Sequence, residues 1–206
     1  MIRCRKILAI GAHPDDIEYG CFGFLLRNAG ESEISLYVAS LGSAGDPSTG
    51  NHRKEESLAA FAMLAPKSTR FRDQAGIGTE SFSSVLDELT TVINDSNPDL
   101  ILCLGPHDSH QEHRNIFDMT IAAARRSRAS ILAYGILSNT LDFKPQFFID
   151  ISSVYEKKKQ ALKFHQSQQH RTYMTEEYLD IFHSNTYASL HGVRYCEAFE
   201  VIRLFS

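Results

Sequence analysis

Residues 6–18 read KILAIGAHPDDIE, an apolar run that closes on a histidine and two adjacent carboxylates. The continuous apolar stretch at 6–11 is the pattern of a strand covered on both faces, as in a parallel sheet flanked by helices. Acidic pairs are common on surfaces, yet this one follows a buried run with little more than His-Pro between. Such a cluster asks for a positive charge, and a metal ion is the economical candidate. The plainer reading is a helix N-terminus, with Asp15 or Asp16 bonding free N–H groups.

The same grammar returns at 98–115, PDLILCLGPHDSHQEHRN: proline, apolar strand, polar loop, helix start. Around these two segments, periodicity predicts helices over 17–28 (with Gly30 as its cap), 52–64, 82–95, 113–127, 153–166 and 175–189. It predicts strands at 33–40, 130–136, 146–151 and 197–204, and a Gly/Pro/Ser loop at 41–51. Strands alternating with helices imply an α/β fold: a three-layer α/β/α sandwich on a mostly parallel, Rossmann-like sheet. Gly20 and Gly23 on the first helix would permit close packing on that sheet. Sites in such sheets gather beyond the carboxyl ends of the strands, where both polar clusters, 13–18 and 107–113, fall.

At 206 residues the chain suits one domain spanning 1–206, and 43% hydrophobic with 22% charged residues is ordinary for a globular protein. A net charge of −4 argues against a nucleic-acid binder, and the short basic clusters at 125–128 and 157–159 read as solvated helix faces. No apolar stretch approaches the ~20 residues of a membrane span, and the first residues do not read as a secretory signal. Four scattered cysteines without a CxxC pair suggest neither a disulfide framework nor a thiolate metal site. The expectation is a reduced, cytoplasmic protein.

His13 and Asp16 lie three apart in a strand-to-helix turn, and His110 and His113 lie three apart at a later helix start. Two such pairs on neighbouring loops could supply the three protein ligands of a catalytic zinc site. A spare carboxylate could then act as general base, and a spare histidine could donate to an oxyanion or leaving group. Two histidines at helical spacing are by themselves more often surface residues. Their placement at equivalent strand ends is what favours the metal.

At these residues the chain resembles the PIG-L/LmbE-like zinc N-deacetylases, whose AHPDDxE signature matches AHPDDIE at 12–18. The family's second motif, roughly HPDH, has HQEH at 110–113 in its place. SLGSAGD (40–46), RKEE (53–56), NPDLIL (97–102), ALKFHQSQ (161–168) and CEAFEV (196–201) extend the similarity over nearly the whole chain. The resemblance implies Zn2+ held by His13, Asp16 and His113, Asp15 as general base, and His110 as electrophile or general acid. It implies substrate contacts from Arg53 and Asp73, orientation of His110 by Glu112, and a pocket floor shaped by His165, itself equally readable as a structural histidine. Asp108 is the substitute ligand should His110 or His113 point away, Glu18 braces the turn, and Glu197 anchors the last strand.

The activity implied is hydrolysis of an acetamide on a small N-acetylated amino sugar or glycoconjugate. A non-acetyl amide of a sugar conjugate is the alternative substrate. Magnesium-dependent phosphoryl transfer ranks below, because histidine-led sites disfavour hard cations. A non-catalytic sugar- or nucleotide-binding module lacks GxGxxG after the first strand and leaves Asp15 without a use. Specificity is expected in loops 41–52, 74–81 and 167–175. The chain is short for this family, so the lid over the pocket is expected to be either reduced or supplied by a neighbouring subunit of a homo-oligomer.

Overall fold

The computed structural model describes residues 4–78, 82–184 and 186–205; the last part of the loop at 74–81 and one residue within 175–189 lie outside them. Seven strands form one sheet: β1 (Lys6–Gly11), β2 (Glu33–Val38), β3 (Ser68–Phe71), β4 (Leu100–Cys103), β5 (Ser130–Tyr134), β6 (Phe147–Asp150) and β7 (Cys196–Arg203). Their spatial order is β3-β2-β1-β4-β5-β7-β6. The first five run parallel, and β7 pairs antiparallel with both β5 and β6. The mostly parallel α/β expectation therefore holds. Parallel strands need crossovers, which the helices supply: α1 (Asp16–Gly20), α2 (Phe22–Asn28), α3 (Gly50–Phe61), α4 (Phe82–Ser96) and α5 (Gln111–Ala123). After β6 come α6 (Tyr155–Lys163), α7 (Glu176–His183) and α8 (Thr186–Leu190).

Three elements differ from the sequence reading. The helix expected over 17–28 is interrupted at Cys21, whose φ of −141° is not helical. The interruption lets two glycines press against the sheet: a Cβ on Gly20 would lie 2.2 Å from the Tyr134 ring, and one on Gly23 2.6 Å from Ile151. Gly30 follows α2, but its φ is not in the left-handed region, so it is not the cap expected. Strand β3 was not foreseen. Its four residues, STRF, lie at the sheet edge with alternate side chains exposed and no continuous apolar signal. The segment 175–189 holds two helices rather than one.

Strands β1 and β4 are hydrogen-bonded neighbours, with Ala9 paired to Leu102. The connection from β1 leads outward through β2 and β3, while β4 continues the other way through β5. The order thus reverses between β1 and β4, and the loops after them part to leave a crevice at their carboxyl ends. No helix among the described residues is long and apolar enough to cross a membrane.

Candidate metal and active site

The loop after β1 carries His13, Pro14 and Asp15 into α1. Asp16, the first residue of α1, folds back so that its Oδ2 accepts from the backbone N–H groups of Ala12 (2.9 Å) and His13 (2.8 Å). This fixes the carboxylate beneath the histidine. Asp15, just before the helix, has φ 112°. A non-glycine residue in that region stores strain, which the surrounding contacts must hold. Arg53 on α3 supplies part of that hold. Its guanidinium donates to the carbonyls of Pro14 (2.8 Å) and Gly42, and lies 3.4 Å from Asp15 Oδ2. Gly42 takes φ +60°, and a Cβ there would lie 2.3 Å from Arg53 Nη1, so glycine is required on both counts.

The loop after β4 delivers the second pair. His110 caps α5, its Nδ1 accepting from Glu112 N at 3.3 Å, and His113 lies one turn on. His113 Nδ1 meets Asp108 Oδ2 at 2.8 Å, and Ser138 Oγ donates to the same oxygen at 2.9 Å. That leaves His113 Nε2 facing His13 Nδ1 at 3.3 Å and Asp16 Oδ1 at 3.4 Å, while His13 Nδ1 lies 3.6 Å from Asp16 Oδ2. A tetrahedral zinc with bonds of about 2.0–2.2 Å sets its ligand atoms about 3.3–3.6 Å apart. These contacts, which reach the two histidines through different oxygens of the Asp16 carboxylate, fall in that range, so nitrogen and oxygen donors suited to a divalent metal converge here.

A second set overlaps the first: His13, His110 and His113 each bring a nitrogen within 4.8 Å of the others. The Asp16 carboxylate of the first set is buried and anchored, whereas His110 is exposed. His13 and His113 each have a carboxylate on their other nitrogen, an arrangement that orients imidazoles in metal sites. For His113 the partner is Asp108. For His13 it is Glu112, whose Oε2 lies 2.6 Å from His13 Nε2 while its Oε1 accepts from Ile77 N at 3.0 Å.

The electrostatics favour a cation. Burial works against a charged His13, but hydrogen bonds and attraction from Asp16 and Glu112 win and push its pKa up to about 10. His113 is likewise raised: burial opposes this, and Asp16 and Asp108 overcome it. Burial would raise Asp16, but His113 and His13 hold it well below the usual carboxylate range. Burial pushes Asp15 up to about 6, with Arg53 opposing. His110 is lowered by burial and by the neighbouring His113 and His13.

A cavity of about 570 Å³ opens here, lined by His13, Asp15, Asp16, Arg53, His110, Glu112 and His113. Two expected site residues lie elsewhere. Asp73 does not line the cavity; it is largely exposed and pairs with Lys54 at 2.7 Å. His165 is fully buried, its Nε2 3.0 Å from Glu18 Oε1, which also accepts from Ser57 Oγ at 2.6 Å. The Glu112 carboxylate contacts His13 rather than the expected His110, because its longer side chain reaches across the crevice. Asp108, expected as a substitute ligand, instead has its carboxylate on His113 Nδ1, a contact that the general pairing of imidazoles with carboxylates could have suggested. Ser138 gave no such signal, since it arrives from the loop after β5. Tyr19, Gln168, Arg171 and Tyr173 also line the cavity and had not been singled out.

The family model for PIG-L, the GlcNAc-PI de-N-acetylases, matches residues 8–124. The uncharacterized deacetylase YaiS of Escherichia coli (strain K12) is 34% identical over 171 residues, 79% of this chain and 91% of its own length. The diacetylchitobiose deacetylase of Thermococcus kodakarensis is 26% identical, over 96% of this chain and 83% of its own. Among solved structures, N,N'-diacetylchitobiose deacetylase from Pyrococcus horikoshii superposes with a TM-score of 0.82 at 22% identity, over 97% of this chain and 84% of that one. With the AHPDDIE turn, the paired strand ends and this match in hand, the chain belongs to the PIG-L family of de-N-acetylases.

Proposed function

We propose that this protein hydrolyses the N-acetyl group of an amino sugar or its conjugate, at a zinc ion that His13, Asp16 and His113 would hold. The observation that carries the proposal is the convergence of those three donor groups at 3.3–3.6 Å, with the Asp15 carboxylate beside them in the same cavity. The deacetylases named among its relatives support the reaction class. When bound, zinc supplies a Lewis acid that polarises a carbonyl and lowers the pKa of water to about 7.

The chain's own residues do the rest. Asp15 takes the proton of the attacking water at a carboxylate oxygen and returns it to the departing amine nitrogen. Arg53, tied to the loops on either side, holds Asp15 in place and within reach. His110 accepts from Glu112 N through Nδ1, so its proton resides on Nε2. From there it donates to the oxyanion as the acetyl carbon becomes tetrahedral, a role a neutral imidazole can fill. Asp108 and Glu112 hold the ligand histidines in the tautomers that keep their other nitrogens free for metal.

Acetate release from N-acetylated sugars and conjugates, with and without a chelator, tests the proposal. Asp15→Asn is expected to lose at least about 100-fold in kcat while elemental analysis still finds the metal. His13→Ala or His113→Ala is expected to lose the metal itself. Near wild-type turnover by Asp15→Asn would show the assigned base to be wrong.

A further inference from the structure

Glu112 divides its carboxylate between two elements. Oε2 lies 2.6 Å from His13 Nε2, and Oε1 accepts from Ile77 N at 3.0 Å. Ile77 is a buried member of the main core, so its N–H is presented from a firm seat. Gly76, just before it, runs so close that a Cβ there would lie 2.8 Å from Glu112 Oε1. The preceding backbone carries a neighbouring loop: Ala75 O accepts from Ser43 N (2.8 Å), and Gln74 O accepts from Leu41 N (2.7 Å). Gly42, Ala44, Gly45 and Ala75 from these two loops form one wall of the cavity.

Two side chains tie that wall to the turn after β1. At one end Arg53 joins Gly42 O to Pro14 O, and at the other Glu112 joins Ile77 N to His13. The Arg53 link grips backbone on both sides. The Glu112 link grips an imidazole, whose orientation a metal would fix. The ring torsion of a histidine is a broad well, and a bond from Nδ1 to a metal narrows it. Nε2, and the carboxylate on it, are then held as well.

We infer that Glu112 is a positioning residue that couples this wall of the cavity to metal binding. A metal on His13 firms the loops at 41–45 and 74–77, and those loops raise the affinity for the metal. Coupling of this kind is reciprocal, each side strengthening the other by the same factor. The inference rests on the metal reading of the site. It gives the glutamate of HQEH a task beyond orienting one ligand, because the shape of the pocket then depends on the metal.

The test uses zinc and the full chain. Exchange of the Ile77 amide is followed by NMR in the zinc-free and zinc-loaded protein. The Lys6 amide, which donates to Asp99 Oδ2 at the other end of β1, is the reference. Zinc is expected to slow Ile77 about tenfold more than Lys6, a typical size for coupling between sites. Glu112→Gln keeps the size but only one acceptor oxygen, so it should abolish that difference. Conversely, Gly76→Ala should lower zinc affinity about tenfold in chelator competition, because its Cβ displaces Glu112 Oε1 while touching no ligand. Gly78→Ala, with nothing within 4 Å of its Cβ, should leave that affinity unchanged. Equal slowing of Ile77 and Lys6, a difference that survives in E112Q, or equal affinities in G76A and G78A overturns the inference. A protein that binds no zinc loses the metal reading as well, whereas one that binds zinc without these effects loses this inference alone.

Discussion

Lys158→Met should be among the most damaging single changes outside the cavity. Lys158 on α6 and Glu197 on β7 form a buried ion pair at 2.6 Å, their side chains 0% and 1% exposed. Glu197 also accepts from Gly23 N and Phe24 N, both at 2.7 Å. These are orphan N–H groups of the first turn of α2, where Cys21 provides no side-chain cap. A strand residue thus caps a helix from across the fold, and Lys158, which also donates to Tyr19 O at 2.6 Å, neutralises the cap. Removing the ammonium leaves a dry carboxylate with only two N–H partners, at a cost of about 3–5 kcal/mol. Against a total stability of about 5–15 kcal/mol, that threatens folding at 37 °C. For a chain of this size it lowers the melting temperature by about 6–20 °C. Urea unfolding of wild type, Lys158→Met, Glu197→Gln and the double variant forms a thermodynamic cycle. The double variant should lose less than the two singles added, because neither charge is then stranded. A loss under about 1 kcal/mol in Lys158→Met, or strict additivity, would refute the claim that the pair is dry and mutually dependent.

Three further outcomes follow from particular contacts. Asp108→Asn should weaken metal binding about 10–100-fold in competition with a chromogenic chelator, since His113 loses its anionic partner; unchanged affinity would deny Asp108 an orienting role. Gly20→Ala should cost about 1–3 kcal/mol or more in urea unfolding, because Tyr134 is fully buried and its hydroxyl is bonded to Ile10 O at 2.8 Å. Gly30→Ala, with nothing within 4 Å of its Cβ, serves as the control and should cost nothing. Burial disfavours charge on His165, but Glu18 outweighs it and raises the folded pKa above the unfolded value. Its stabilisation is therefore complete below about pH 6.5 and lost as pH rises through the folded pKa. The stability difference between wild type and His165→Gln should shrink across that window, and a difference constant from pH 5 to 9 would contradict the Glu18 pairing.

Most of the architecture was legible because it is encoded locally. The apolar run of β1, the His13–Asp16 spacing in its turn and the His110–His113 spacing at α5 each depend on residues a few positions apart. From them came the α/β class, the two strand ends that meet at the crevice and the histidines that the structure brings together there. What the sequence could not decide involves partners distant along the chain. Nothing near Glu112 indicates that its carboxylate meets His13, 99 residues earlier, or that Glu197 caps α2 from 174 residues away. Asp73 read as a cavity residue, yet the edge position of β3 carries the following loop outward to Lys54. The break at Cys21 likewise answers to Tyr134 and Ile151 across the sheet. Periodicity and ligand spacing are properties of the chain's own geometry, whereas the choice between equally plausible polar partners is made by packing, through which side chains the assembled sheet brings within reach.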